Sequence, residues 1–267
     1  MIGADSPAPG RRFTRRLPAG DRRPAPALPA APARARPNPS RGRCRAFAFR
    51  LDKQDVTMQL IIGDKSYSSW SMRPWVLMRH FGIPFEETLI ELRAPDTEAR
   101  ILARSPSGRV PCLIDDAGHA VWDSLAIAET LAERFPAQPM WPVDPAARAL
   151  ARSVSAEMHS GFTAVRGEMP FSLRAPQPGR ALSPAALAQI ARIEAIWRDC
   201  LARSGGPFLF GAFTIADAMY APVVMRFVCY APVLSGVSAA YVERMLAVPA
   251  IAAWNDGARH ETRMVEY

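Results

Sequence analysis

Ordered hydrophobic patterning begins at Met58. Leu60, Ile61 and Ile62 form a short apolar run that breaks at Gly63, and a hydroxyl-rich turn follows with Ser66, Tyr67, Ser68, Ser69 and Ser71. Trp75, Val76 and Met78 then carry an apolar period that Gly82 and Pro84 stop. The pattern predicts strand, serine turn, helix, with Ser71 as N-cap and Pro74 in the first turn, where a missing N–H does no harm. Residues 85–92 (FEETLIEL) read as a short strand, and Asp96 caps a short helix, DTEARILAR. A turn at Pro106-Ser107-Gly108 leads into an apolar strand, Cys112 to Ile114. Asp116-Ala117-Gly118 turns the chain into a second strand, His119 to Trp122, which makes a hairpin. Ser124 then caps SLAIAETLAERF, with Leu125, Ile127, Ala128 and Leu131 on one face. The order over residues 58–136 is βαβαββα.

A proline-studded linker covers residues 137–145, and the pattern from 146 to 260 is helical throughout. The first helix is predicted as continuous over 146–169, which puts His159, Phe162 and Arg166 on one face. Those three side chains either shape a substrate site or are structural, with Glu157 and Arg166 as an ion pair. Ser183-Pro184 opens the next helix, which runs to about Arg203. Thr214-Ile215-Ala216-Asp217 reads as a capping box before a helix that is apolar on most sides and so buried; Asp217 is then a folding residue. The tail, 261–267, carries no clear signal. The fold class is α/β plus all-α: a first domain with a small sheet, followed by a helical bundle.

The net charge of +8 suggests nucleic acid until its location is considered. Residues 1–57 hold 12 Arg and one Lys against four Asp, and the remainder holds 20 basic and 21 acidic residues. The body therefore has no excess charge of the kind that marks a nucleic-acid face. The Arg/Pro/Ala-rich segment 1–57 lacks periodicity and is expected to be disordered. It reads either as an over-extended start, with Met58 the natural one, or as a targeting leader. Cys44, Cys112, Cys200 and Cys229 form no C-x-x-C pair and no metal-ligand spacing, so buried thiols in a reducing compartment are expected, with no metal. No apolar run is long enough to span a bilayer.

Four segments in this order resemble motifs of the cytosolic glutathione transferase superfamily. SYSSWSMRPWVL resembles the serine-type active-site turn of zeta-class and related bacterial members; SPSGRVPCLID resembles the segment that ends in a cis-proline; WDSLAIAETL resembles the segment holding the γ-glutamyl end of glutathione; and GAFTIADAMYAPV resembles the buried capping box. Ser105 and Arg109 depart from the second pattern. Trp70 stands where the zeta pattern has a cysteine, which puts zeta-type isomerisation in doubt. The resemblance implies a thioredoxin-like first domain, a helical second domain, glutathione as co-substrate, a homodimer and a cytoplasmic location. It places the catalytic hydroxyl at Ser69, with Ser68 the rival. Val110 and a cis Pro111 would hold the cysteinyl backbone and Arg109 the glycyl carboxylate, or Arg109 is a solvated turn charge. Asp123 would take the glutamyl ammonium, and Ser124 the glutamyl carboxylate. Trp70, His159, Phe162 and Arg166 would line the electrophile site, while Thr214 and Asp217 form the structural cap. Conjugation to a small hydrophobic electrophile, glutathione-dependent isomerisation or peroxide reduction, and non-catalytic binding all remain open. Because the turn carries no sulfur, the thiol in the chemistry belongs to the ligand and not to the protein.

Overall fold

The computed structural model describes residues 58–263. The reading of residues 1–57 as a disordered leader lies outside the described residues, as does the end of the tail. The four strands are β1 (Gln59–Gly63), β2 (Glu86–Ile90), β3 (Cys112–Ile114) and β4 (Ala120–Val121). They form one sheet in the order β2-β1-β3-β4. β1 pairs parallel with β2, Ile61 opposite Thr88, and antiparallel with β3, Ile61 opposite Cys112. The sheet is flanked by helices α1 (Ser69–His80), α2 (Thr97–Leu102) and α3 (Ser124–Arg134). Beyond them lie α4 (Pro145–Ser160), α5 (Thr163–Glu168), α6 (Pro184–Ser204), α7 (Ile215–Tyr230), α8 (Gly236–Leu246) and α9 (Pro249–His260). This is the thioredoxin-like order followed by a helical bundle, and the described residues fall in one compact unit.

β1 is central and almost fully buried, which is why its sequence is an unbroken apolar run. One face of the sheet carries Leu60 and Ile62 into the main core with Met72, Trp75 and Val76 of α1. The other carries Ile61 into a small satellite core with Ile90, Ile101 and Cys112. α1 packs against α7 and α9, so the sheet domain and the bundle share one apolar core.

Three sequence expectations need correction. α1 starts one residue after Ser68, whose Oγ accepts the Ser71 N–H; Ser68 is therefore the N-cap, and Ser71 sits in the first turn. Pro74 consequently lies inside the helix, beyond the turn where its missing N–H has no consequence. At α3 the same offset appears: Asp123 is the cap, its carboxylate accepting from Leu125 and Ala126 N–H at 3.0 and 3.4 Å, and Ser124 is the first helical residue. Asp outcompetes Ser here because its carboxylate reaches two donors at a positive helix end.

The third correction is the helix expected over 146–169, which is two helices. The chain breaks at Gly161, where a Cβ would stand 2.7 Å from the Glu157 carbonyl oxygen, and Phe162 takes a left-handed φ of 58°. Arg166 folds back over the break and donates to the carbonyls of Gly161, Met158 and His159. It thus satisfies the carbonyls that the end of α4 leaves open. Glu157 pairs instead with Arg192 of α6, Nε to Oε1 at 2.8 Å.

The capping box at the start of α7 is present. Fifteen of the sixteen residues of α7 are buried, so no polar face orients it and the cap must fix its end. Asp217, fully buried, accepts the N–H groups of Thr214 (2.9 Å) and Leu209 (3.1 Å) and the hydroxyls of Thr214 (3.0 Å) and Tyr241 (2.9 Å). The Met140 carbonyl accepts the Ile215 N–H, which pins the linker to the same helix end.

Burial pushes the Asp217 carboxyl up to about 6, partly opposed by those four hydrogen bonds. Between its usual value of 3.8 and that point, the folded protein holds a proton that the unfolded chain releases. This contribution is present in full below pH 3.8 and is lost as the pH rises through about 6, a change of about 3 kcal/mol at ~1.4 kcal/mol per unit. Asp217→Asn should flatten that slope when urea unfolding is measured from pH 4 to 7. Asp217→Ala leaves several buried donors unpaired and should lower stability by about 3–5 kcal/mol at pH 7.

Candidate active site

The turn between β1 and α1 is polar yet buried. Ser66, Ser68 and Ser69 are all less than a tenth exposed. The Ser68 hydroxyl donates to Ser71 Oγ at 2.7 Å, and Ser71 Oγ in turn accepts the Gly63 N–H at 3.1 Å. Ser68 and Ser71 therefore spend their hydroxyls on closing the turn. Ser69, the first residue of α1, has a different neighbour: its Oγ lies 3.4 Å from an Nη of Arg226 on α7. The N–H groups of Ser69 and Trp70 precede the first intrahelical bond, Met72 N–H to the Ser68 carbonyl, so the positive end of α1 is at this point.

A cleft of about 610 Å³ opens beside the turn. Seven of the expected site residues line it: Ser68, Ser69, Trp70, Arg109, Val110, Pro111 and Asp123. The Val110–Pro111 peptide bond is cis. Asp123 caps α3 with one carboxylate oxygen and meets His159 Nε2 at 2.8 Å with the other. Ser124 is not among the residues that line the cleft: its hydroxyl is buried and accepts from Arg73 at 3.3 Å. Phe162 is also outside the lining and belongs to the core. His159 meets Trp70 edge-on at 5.2 Å, and the Arg166 guanidinium lies 4.8 Å over the same ring. The broken helix therefore still delivers both side chains to Trp70, but by tertiary folding and not by a shared helical face.

Two arginines of this site had no signal in the sequence pattern. Arg73, on α1, lies 4.3 Å over Trp70 and is 2% exposed. Burial, then the charges of Arg166 and Arg226, push its guanidinium well below the usual range, while Asp123 works the other way. Arg226 is 5% exposed on an otherwise apolar helix, and its Nε donates to the Met169 carbonyl at 2.8 Å. Three cations thus gather behind Trp70 and Ser69, which line the cleft, and the positive potential there favours an anion.

α9 and the residues just after it also reach the turn. Glu261 accepts the backbone N–H groups of Lys65 and Ser66, the latter at 2.9 Å. Trp254 Nε1 donates to the Lys65 carbonyl at 3.1 Å, and the Ser66 hydroxyl donates to the Ala258 carbonyl at 3.1 Å. Arg263 pairs with Asp64, whose carboxylate also accepts the Leu92 N–H. The described part of the tail, residues 261–263, expected to be uninformative, is the outer clamp of the serine turn.

The family model for the glutathione S-transferase N-terminal domain matches residues 67–134, and that for the C-terminal domain matches 180–256. Together they span more than half of the chain, which belongs to the glutathione S-transferase family. A probable maleylacetoacetate isomerase from Caenorhabditis elegans is 31% identical over 98 residues, covering 37% of this chain; the match spans 44% of that relative's length. A glutathione transferase homolog from Burkholderia gl BGR1, solved with bound glutathione, superposes with a TM-score of 0.61 at 25% identity, over 77% of this chain and 100% of that one. A glutathione transferase from Methylococcus capsulatus str. Bath shares the fold, with a TM-score of 0.58 at 24% identity over 76% of this chain and 99% of that one.

The clamp makes a direct prediction. Each charge-assisted bond from Glu261 contributes about 1.5–3 kcal/mol. Glu261→Ala should therefore speed hydrogen exchange at the Lys65 and Ser66 amides by about 10- to 100-fold, read by mass spectrometry, with little change at β3.

Proposed function

We propose that the protein is an enzyme that ionises the thiol of glutathione with the Ser69 hydroxyl and presents the thiolate to a small hydrophobic electrophile. The observation that carries this reading is the meeting of Ser69, the cis Val110–Pro111 step and Asp123 on one cleft at the N-terminus of α1. The backbone of Val110 would hold the cysteinyl unit, Asp123 the glutamyl ammonium, and Arg109 the glycyl carboxylate. The glutamyl carboxylate falls to the N-terminus of α3 at Ser124, through the backbone N–H, beside a buried hydroxyl that accepts from Arg73.

Serine does not act here as a base. It donates its hydrogen to sulfur while the thiol proton leaves to solvent. Lowering a thiol pKa by about two units takes ~2.7 kcal/mol. A hydrogen bond to an anion contributes about 1.5–3 kcal/mol, and the helix end adds about 0.3–1. Ser69 is favoured over Ser68 because the Ser68 hydroxyl already donates to Ser71. The thiolate then attacks carbon, and the leaving group departs with the bonding pair. Trp70, with Arg166 and His159 against it, forms the wall on the electrophile side.

Isomerisation of a maleyl-type substrate is a second reading, favoured by the name of the Caenorhabditis elegans relative. It uses the same thiolate, which adds to the alkene and is expelled after rotation. Buried Cys112, Cys200 and Cys229 suit the reducing cytoplasm, where glutathione is plentiful, and the working form is proposed to be a homodimer.

The test compares Ser69→Ala with Ser68→Ala. Ser69→Ala should raise the bound thiol pKa by about two units and cut kcat about 100-fold at neutral pH, with calorimetric glutathione affinity nearly unchanged. Should Ser68→Ala give that result and Ser69→Ala not, the hydroxyl has been assigned to the wrong serine. Absence of glutathione binding to the wild type would sink the whole reading.

A further inference from the structure

α7 is apolar on every side, so an arginine within it needs a reason. A guanidinium cannot shed its proton to escape burial, and it must find acceptors for its N–H groups. Arg226 finds them on three elements. Its Nε donates to the Met169 carbonyl after α5, one Nη to the Pro222 carbonyl of its own helix at 3.4 Å, and the other Nη to Ser69 Oγ on α1. The Phe171 ring packs 5.4 Å from the guanidinium carbon. The first two bonds and the ring fix the guanidinium plane, and the third is then aimed across the core at the serine.

We propose that Arg226 is the positioning residue of the thiolate site: by filling a lone pair of the Ser69 oxygen from the core side, it turns the hydroxyl hydrogen toward the cleft. The inference rests on the Ser69 reading above. A serine hydroxyl has one hydrogen to donate and two lone pairs, and it rotates freely until something takes one of them. Arg226 can only donate, so the hydrogen cannot point at it. A fixed donor also requires no reorganisation when sulfur ionises, and the guanidinium charge behind the oxygen strengthens the bond to an anion.

The other charged and titratable groups near this point are Arg73 on α1, Asp123 at the start of α3, His159 on α4, Arg166 on α5, and Cys229 and Tyr230 on α7. Arg73 bonds Ser124 and Arg166 bonds the end of α4, so neither substitutes for the bond to Ser69.

The experiment is a double-mutant cycle on the full chain, with wild type, Arg226→Met, Ser69→Ala and the double variant. Glutathione binding is read by calorimetry and its bound thiol by ultraviolet thiolate absorbance against pH. Arg226→Met should raise the bound thiol pKa by about one unit and lower kcat about tenfold, while glutathione KM and affinity stay within about threefold. In the Ser69→Ala background the same substitution should add little. An equal shift in both backgrounds overturns the proposal, because Arg226 would then act as a distant charge and not through the serine. No shift in either background overturns it as a purely structural arginine. Should the methionine variant not fold, Arg226→Gln keeps a donor for the Met169 carbonyl and reads the same quantities. Ser69→Ala with an unchanged thiol pKa would instead sink the serine reading itself, an outcome separable from the other two.

Discussion

The rest of the structure depends on one constraint, the burial of a polar turn. Residues 61–69 are buried without a break, and five of them, Asp64, Lys65, Ser66, Ser68 and Ser69, carry polar or charged side chains. A buried backbone donor or acceptor without a partner costs as much as a lost hydrogen bond. The turn cannot meet that demand alone, because its geometry is that of a tight strand-to-helix reversal. The partners come from far along the chain: the Leu173 N–H to the Ser66 carbonyl, the Trp254 indole to the Lys65 carbonyl, and the Glu261 carboxylate to two amides. The helical bundle therefore acts as the acceptor and donor set that the serine turn needs, as well as an apolar cover. Stability and site geometry become one problem, since loosening the bundle loosens the turn.

The second organising feature is charge. Arg73 and Arg226 are almost fully buried, and Arg166 is half-buried, around a tryptophan and a serine. These cations repel one another, and the Arg73 guanidinium is pushed below its usual range first by its burial and then by the charges of Arg166 and Arg226. Such a cluster stays folded because each guanidinium is fastened to oxygens, Ser124 for Arg73, the end of α4 for Arg166, and Met169 with Ser69 for Arg226. A group that brings carboxylates and a thiolate would relieve the repulsion on binding. Binding of the proposed ligand should therefore tighten the fold by linkage.

Much of this was legible in the sequence where the signal is local. The apolar run of β1, the hairpin around Asp116-Ala117-Gly118 and the Thr214–Asp217 box each depend on neighbours within four residues, and each stands. Caps slipped by one to three positions because Ser68, Ser71, Asp123 and Ser124 are all competent caps, and choosing among them is a matter of tertiary geometry. The continuous helix over 146–169 failed because Arg166 makes the break at Gly161 inexpensive, and a propensity argument cannot see a side chain returning to cover carbonyls. Arg73, Arg226 and Glu261 were invisible for a plainer reason. The contact from Arg226 to Ser69 spans 157 residues, and that from Glu261 to Ser66 spans 195.

Asp123 shows how a single side chain ties the two layers of the molecule to the cleft. One oxygen caps α3 through two backbone N–H groups, and the other meets His159 on α4. A carboxylate has about four lone-pair sites, so these contacts fix its direction without exhausting it. Half of its surface stays exposed, and it lines the cleft. An acidic group free to rotate would lose entropy on gripping an ammonium, whereas this one has already lost it to its own helix cap. For the proposed grip on an ammonium, the cap would thus favour an aspartate over a flexible glutamate. It also explains why the sheet domain must end its hairpin directly at a helix start: the carboxylate is held in place only because α3 begins there.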